Sequence, residues 1–200
     1  MKIAEELPLS QAGLEEAYAL LKEGHFEDAI ENFTECLSEF PNEAGAYQGR
    51  ALAHFQLKNW PSANSDFSKA MTLNPRDLEN WVGYGMSLAM ANEIYKAIDV
   101  FQTLLEQNPN YVRGRIQLGL LYYRLCLVSK GTEQMDLALA SRPSLIERRT
   151  IEKFKAEQKQ LDKKRYYKPD FEALHREQKL FPGDGWIKKA VKLLKKRNDS

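Results

Sequence analysis

The 200-residue chain is predicted to be all-α, a solenoid of about four 34-residue helical hairpins followed by a C-terminal helical extension. Three observations predict it. Pro41, Pro75, Pro109 and Pro143 stand 34 residues apart, and small and aromatic residues recur in phase with them. After Pro143 the period stops and the charge changes sign.

Residues 1–9 form a lead-in, and the units run 10–43, 44–77, 78–111 and 112–145. Eight places into each unit stands a small residue: Ala17, Ala51, Gly85, Gly119. Twenty places in come Ala29, Ala63, Ala97 and Gly131; at twenty-four, Phe33, Phe67, Phe101 and Met135; at twenty-seven, Cys36, Ala70, Leu104 and Ala138. Each unit holds two amphipathic stretches, a short turn such as Lys22-Glu23-Gly24-His25, and a proline that cannot continue the second helix. Small residues let the two helices approach, and the aromatic fills the space between them. One hairpin cannot bury its own face, so neighbours must stack and leave a concave surface.

These residues resemble the tetratricopeptide-repeat (TPR) family, whose pattern runs aromatic, Leu-Gly, Tyr, Ala, Phe, Ala, Pro. The third unit matches best, with Trp81, Tyr84-Gly85, Leu88, Ala97, Phe101, Leu104 and Pro109. The resemblance covers residues 10 to about 145. The outer units depart from it: Gly13 and Arg115 take the aromatic position, and Gly131 replaces the second-helix alanine.

The resemblance implies antiparallel helix pairs in a right-handed superhelix, with a partner held against the first helices. The places that line this groove in the family hold Tyr18, Leu52, Phe55, Val82, Met86, Met90, Ile116, Leu120 and Tyr123 here, with Leu14, Leu21 and Gln48 nearby and Arg113 and Arg124 at the far end. An apolar projection this large calls for an amphipathic helix or an extended apolar segment to cover it. The family's chaperone-binding members grip an acidic C-terminal tail with Lys and Asn. Leu14, Tyr18, Gly49, Glu79 and Gly83 occupy those places, so tails of the large heat-shock chaperones are not expected as ligands.

Residues 146–200 form the basic extension. From residue 145 onward the chain carries 17 Lys or Arg against 9 Asp or Glu, a net of +8, whereas residues 1–144 carry −7. A charged helix over 144–165, with Ile151, Phe154 and Leu161 as its narrow apolar stripe, suits a cap on the last repeat. Pro169 opens a second helix to about Phe181, Pro182-Gly183-Asp184-Gly185 is a turn, and Trp186 to Arg197 reads as a third helix. On that last helix Trp186, Ile187, Ala190, Val191, Leu193 and Leu194 recur at helical spacing with five lysines mostly opposite, making a basic docking element. Its candidate destinations are a partner protein, the acidic first repeat of its own or a second copy, and an anionic membrane surface. Protein docking ranks first. It includes self-association through the tail, since the −7 body offers a complementary surface, and peripheral membrane contact ranks below it.

No phosphate-binding loop, dinucleotide fingerprint or zinc spacing occurs. His25, His54 and His175 are scattered, Cys36 sits at a core place, and Asp184 alone cannot hold a cation. The expectation is a protein without catalysis, cofactor or metal. Its work is protein or peptide binding as a scaffold or, alternatively, as a chaperone for an aggregation-prone secreted or membrane-assembly client. Nucleic acid is not expected to bind, despite Tyr166, Tyr167 and Trp186 among the basic residues. Two distant cysteines, an acidic proline-containing start and no long apolar run lead to the expectation of a cytoplasmic setting.

Overall fold

The structure, a computed structural model, describes residues 9–163, with side chains from 13 to 159. The expected helices from Pro169 and from Trp186, the Pro182–Gly185 turn, His175, the side chain of Leu161 and the docking residues Trp186, Ile187, Val191 and Leu194 lie outside the described residues.

Among the described residues the chain is helical, without strands. The hairpins are α1 (Leu9–Glu23) with α2 (Phe26–Glu39), α3 (Ala44–Gln56) with α4 (Trp60–Leu73), α5 (Leu78–Met90) with α6 (Ile94–Gln107), and α7 (Val112–Arg124) with α8 (Val128–Ala140). A last helix, α9 (Leu145–Lys163), follows. Second helices begin at 26, 60, 94 and 128, and first helices at 44, 78 and 112, so the 34-residue step of the prolines is the step of the backbone.

The turn inside each hairpin repeats as well. Gly24, Lys58, Asn92 and Cys126 all adopt positive φ, between 57° and 91°. The residue after each donates its N–H five residues back, from His25 to Leu20, Asn59 to His54, Glu93 to Leu88 and Leu127 to Tyr122, at 2.8–2.9 Å. This left-handed stop satisfies carbonyls that the end of a first helix would leave bare. Between units, Glu43 accepts from Gly45 N–H and Asp77 from Glu79 N–H, restarting α3 and α5. Helix α9 opens on a capping box: Ser144 N–H donates to Glu147 at 2.8 Å, and Glu147 N–H to Ser144 Oγ at 3.3 Å.

The core runs as a line of large side chains from second helices. Phe33, Phe67, Phe101 and Met135 are buried at the same place in their units, against Ala29, Ala63, Ala97 and the bare Gly131. Arg50 fastens three helices, donating two bonds to Asp66 on α4 at 2.8 and 2.9 Å and one to Thr34 on α2 at 3.1 Å. Asp66 is buried, so this pair is costly to break from one side. On α9, Ile151 is fully buried among Ile116, Met135 and Ala138, with Phe154 packed beside them, and Lys155 pairs with Asp136. The helix covers the last hairpin through a narrow stripe, while Leu145 and Ile146 stay exposed.

Candidate functional site on the first-helix face

First helices approach one another across unit boundaries, α1 to α3, α3 to α5, α5 to α7 and α7 to α9. Among the described residues no two second helices do. The first helices therefore form the inner layer, on the shorter arc, and second helices splay outside it. The inner layer is also cross-tied by polar groups. Tyr18 donates to Gly45 O at 2.8 Å, Gln48 to Asp77 Oδ2 at 2.8 Å, and Tyr111 to Glu79 Oε1 at 2.7 Å, while Arg113 pairs with Glu79. At the opposite helix ends Arg124 donates to Ala89 O at 2.8 Å and Asn92 Oδ1 at 3.1 Å.

Between these ties lies an apolar strip narrower than the family pattern implies. Leu52 is 38% exposed and Met90 54%. Phe55, Met86, Leu120 and Tyr18 are half-buried, each packed along one edge of the core. Three expected groove residues are core instead. Val82 is 1% exposed and packs with Leu88, Phe101 and Leu104. Ile116 joins Met135 and Ile151, and Tyr123 turns its ring into the gap left by Gly131, whose absent Cβ would sit 2.4 Å from Tyr123 Cδ1. The reason is seam geometry. A polar residue at the fifth place reaches the neighbour's helix start, as Gln48 does, whereas an apolar one at that place folds into the seam between first helices.

The rim beside the strip is acidic. Burial, followed by the charges of Glu43 and Asp77, pushes the Tyr18 hydroxyl up to about 12. Burial, then the hydrogen bond and charge of Glu79, raises Tyr111, with Arg113 opposing and Asp77 adding. Asp77 acts on both tyrosines, so Glu43, Asp77 and Glu79 lie along one edge of the face, where Arg113 pairs with Glu79. Glu43, Asp77 and Tyr111 escaped the sequence reading. Their signal was the acid recurring just before α3 and α5.

The structure also explains the missing clamp. A Cβ on Gly49 would meet the Phe33 ring at 2.2 Å, and one on Gly83 the Phe67 ring at 2.4 Å. Both glycines exist to admit a ring from the preceding unit, so no side chain can project there. Tyr18 spends its hydroxyl on Gly45, and Glu79 offers the wrong charge.

Elsewhere the candidate chemistry is plain packing. Burial, then Glu43 and Glu39, raises the Cys36 thiol and keeps it protonated. Burial lowers His54, whose Nδ1 has no partner. No helix among the described residues is long and apolar enough to cross a membrane.

Family models described as tetratricopeptide repeat match residues 14–77 and 79–111. Residues 14–111 of the chain are thus tetratricopeptide repeats. Among curated relatives it is 31% identical over 87 residues to rat sperm-associated antigen 1, covering 44% of this chain and 10% of that one. It is 37% identical over 75 residues to rat mitochondrial import receptor subunit TOM70 (35% and 12%) and 29% over 89 residues to Hsp70-Hsp90 organizing protein 2 of Arabidopsis thaliana (44% and 16%). The match thus spans only 10–16% of the length of these relatives. Among solved structures, MamA from Desulfovibrio magneticus superposes with a TM-score of 0.61 at 19% identity, over 79% of this chain and 97% of that one. The first TPR domain of Spaghetti, bound to the HSP90 peptide SRMEEVD, gives 0.54 at 23% identity over 58% and 92%. Likenesses at these identities show the fold.

Proposed function

We propose that the chain is a non-catalytic scaffold that holds an apolar segment of a partner protein, helical or extended, across the inner faces of α3, α5 and α7. The observation that carries this reading is the exposure of Leu52 and Met90 beside half-buried Phe55, Met86 and Leu120, on the layer the family uses for ligands. The acidic rim gives the ligand its sign. Where the first TPR domain of Spaghetti holds the acidic SRMEEVD peptide, this face sets Glu43, Asp77 and Glu79 beside Arg113, with Arg124 at the opposite helix ends, and favours a segment that is apolar on one side and basic on the other.

Affinity capture with the full chain and with its Leu52→Glu and Met90→Glu variants tests the reading. Both variants should lose the captured partner while melting within a few degrees of the parent, because both positions are exposed. Capture that survives both changes would remove the groove assignment. The SRMEEVD peptide, titrated in parallel, should show no saturable binding, and tight binding would overturn the charge argument.

A further inference from the structure

We propose that the resident occupant of this inner face is the chain's own segment 186–197, docked with its apolar side on the Leu52–Met86–Leu120 strip and its lysines along the Glu43–Asp77–Glu79 rim. The inference rests on the groove reading above and goes beyond it, because it names a ligand and makes the face self-occupied at rest.

Charge, shape and reach each support it. Residues 164–200 carry 11 Lys or Arg against 5 Asp or Glu, opposite in sign to the rim. Within them, Trp186, Ile187, Ala190, Val191 and Leu194 fall on one side of a helical projection and Lys188, Lys192 and Lys195 largely on the other. Twelve residues as a helix measure about 18 Å. Three first helices at interaxial distances of about 8–10 Å present a strip of about 16–20 Å, so the segment spans α3 to α7 without overhang. Helix α9 is described as far as Lys163, and residues 164–185 connect it to the segment. With the expected helix from Pro169 to Phe181 at about 1.5 Å per residue and the other nine residues at about 3.3–3.6 Å, this connection reaches at most about 50 Å, beyond the three or four helix spacings of about 8–10 Å back to α3.

A second acidic surface competes and is the poorer fit. Helix α2 exposes Glu27, Asp28, Glu31, Glu35 and Glu39, the largest run of one charge among the described residues. Yet the exposed positions of α2 carry only acids, Thr34 and Ser38, and the exposed ring of Phe40 lies past the helix end, so no exposed apolar strip runs along these acids to take both Trp186 and Ile187. The first-helix face offers apolar surface and acid together. An external partner must then displace the tail, and its apparent affinity falls by the fraction of time the face is open.

The test uses the full chain with the photocrosslinking residue p-benzoylphenylalanine in place of Trp186. Light- and heavy-labelled chains are mixed before irradiation so that products within and between chains separate by mass. The expected product is a crosslink within one chain to peptides of α3 or α5. It should fall about tenfold in a Lys188→Glu, Lys192→Glu, Lys195→Glu variant, from the loss of three ion pairs of about 0.2–1 kcal/mol each. It should also fall at about 0.5 M salt, where the screening length shrinks to about 4 Å. A crosslink to α2, products only between chains, or no product overturns the proposal. If no product forms while Leu52→Glu still abolishes capture, self-docking is overturned and the groove reading stands. If the crosslink forms on α3 or α5 but capture ignores Leu52→Glu, self-docking is upheld and the partner site lies elsewhere.

Discussion

At the junction of the second and third units a ring from a second helix enters a gap on a first helix, Phe67 over Gly83. In the fourth unit the roles are exchanged, and Tyr123 from α7 enters the gap at Gly131 on α8. Both contacts fill the same kind of void. The solenoid preserves the volume of the pair and leaves open which helix supplies the ring. The exchange has a consequence for binding, because a ring spent inward at position 123 is lost from the inner face. It also tightens the hairpin: the absent Cβ of Gly131 would meet Gly119 O at 3.0 Å, so backbone faces backbone there, whereas at Gly83 the nearest atoms all belong to the Phe67 ring.

The largest expected effect is at the central ring. Phe67→Ala should cost about 3–5 kcal/mol in urea unfolding, since the ring is fully buried and its neighbours on two units cannot collapse into the space. A loss below about 1 kcal/mol would show the junction to be loosely packed.

The two glycines separate the two junctions more finely. Gly83→Ala and Gly131→Ala should each cost about 1–3 kcal/mol by overpacking, net of a helix propensity gain of up to about 1 kcal/mol. Adding Phe67→Leu should recover much of the Gly83→Ala loss, because a side chain is the obstacle. Adding Tyr123→Leu should recover less at Gly131, where the Gly119 carbonyl at 3.0 Å still stands once the ring is gone. Equal rescue in two double-mutant cycles would erase the distinction.

A smaller effect belongs to Tyr18, edge-on to Phe33 at 5.1 Å and bonded to Gly45. Tyr18→Phe should cost about 0.5–1.5 kcal/mol at neutral pH. Its folded pKa stands above the unfolded value of 10.0, so its proton-linked stability is complete below pH 10 and lost as pH rises toward about 12. Parent and variant melting curves should therefore converge across pH 10–12, and curves that stay parallel would show the hydroxyl to be free. The smallest change is a gain. Lys58→Gly should add about 0.5–1 kcal/mol by removing a side chain from a left-handed turn residue, as Gly24 already does in the first unit.

Most of the fold was legible because it repeats. The prolines, the second-helix phenylalanines and the alanines beneath them each carry the period independently, and the stripe Ile151–Phe154 was enough to foresee a cap. The inner face was less legible. A family register assigns a residue to a place, but whether that place is wet depends on the neighbour's side-chain volume. Val82 and Ile116 are apolar where Gln48 is polar, and that contrast was the signal that they turn into the seam. Tyr123 stands opposite a glycine where three other units have alanine, a large-for-small exchange that the pattern alone recorded as a mere departure. The acidic rim was hidden because Glu43 and Asp77 read as helix caps, and they became a charged row only when the first helices were brought side by side.

Each helix touches only the next one or two along the chain among the described residues. Amide protection should therefore vary along the molecule in steps. Opening α1 and α2 severs the contacts of one hairpin with one neighbour, while opening α5 and α6 requires breaking interfaces on both sides. Hydrogen exchange at equilibrium should run faster in α1 and α2, which among the described residues contact only α3 outside their own hairpin, than in α5 and α6. The hairpin of α5 and α6 holds Met86 and Met90, so the proposed ligand face is built on a slowly opening part of the array held from both sides.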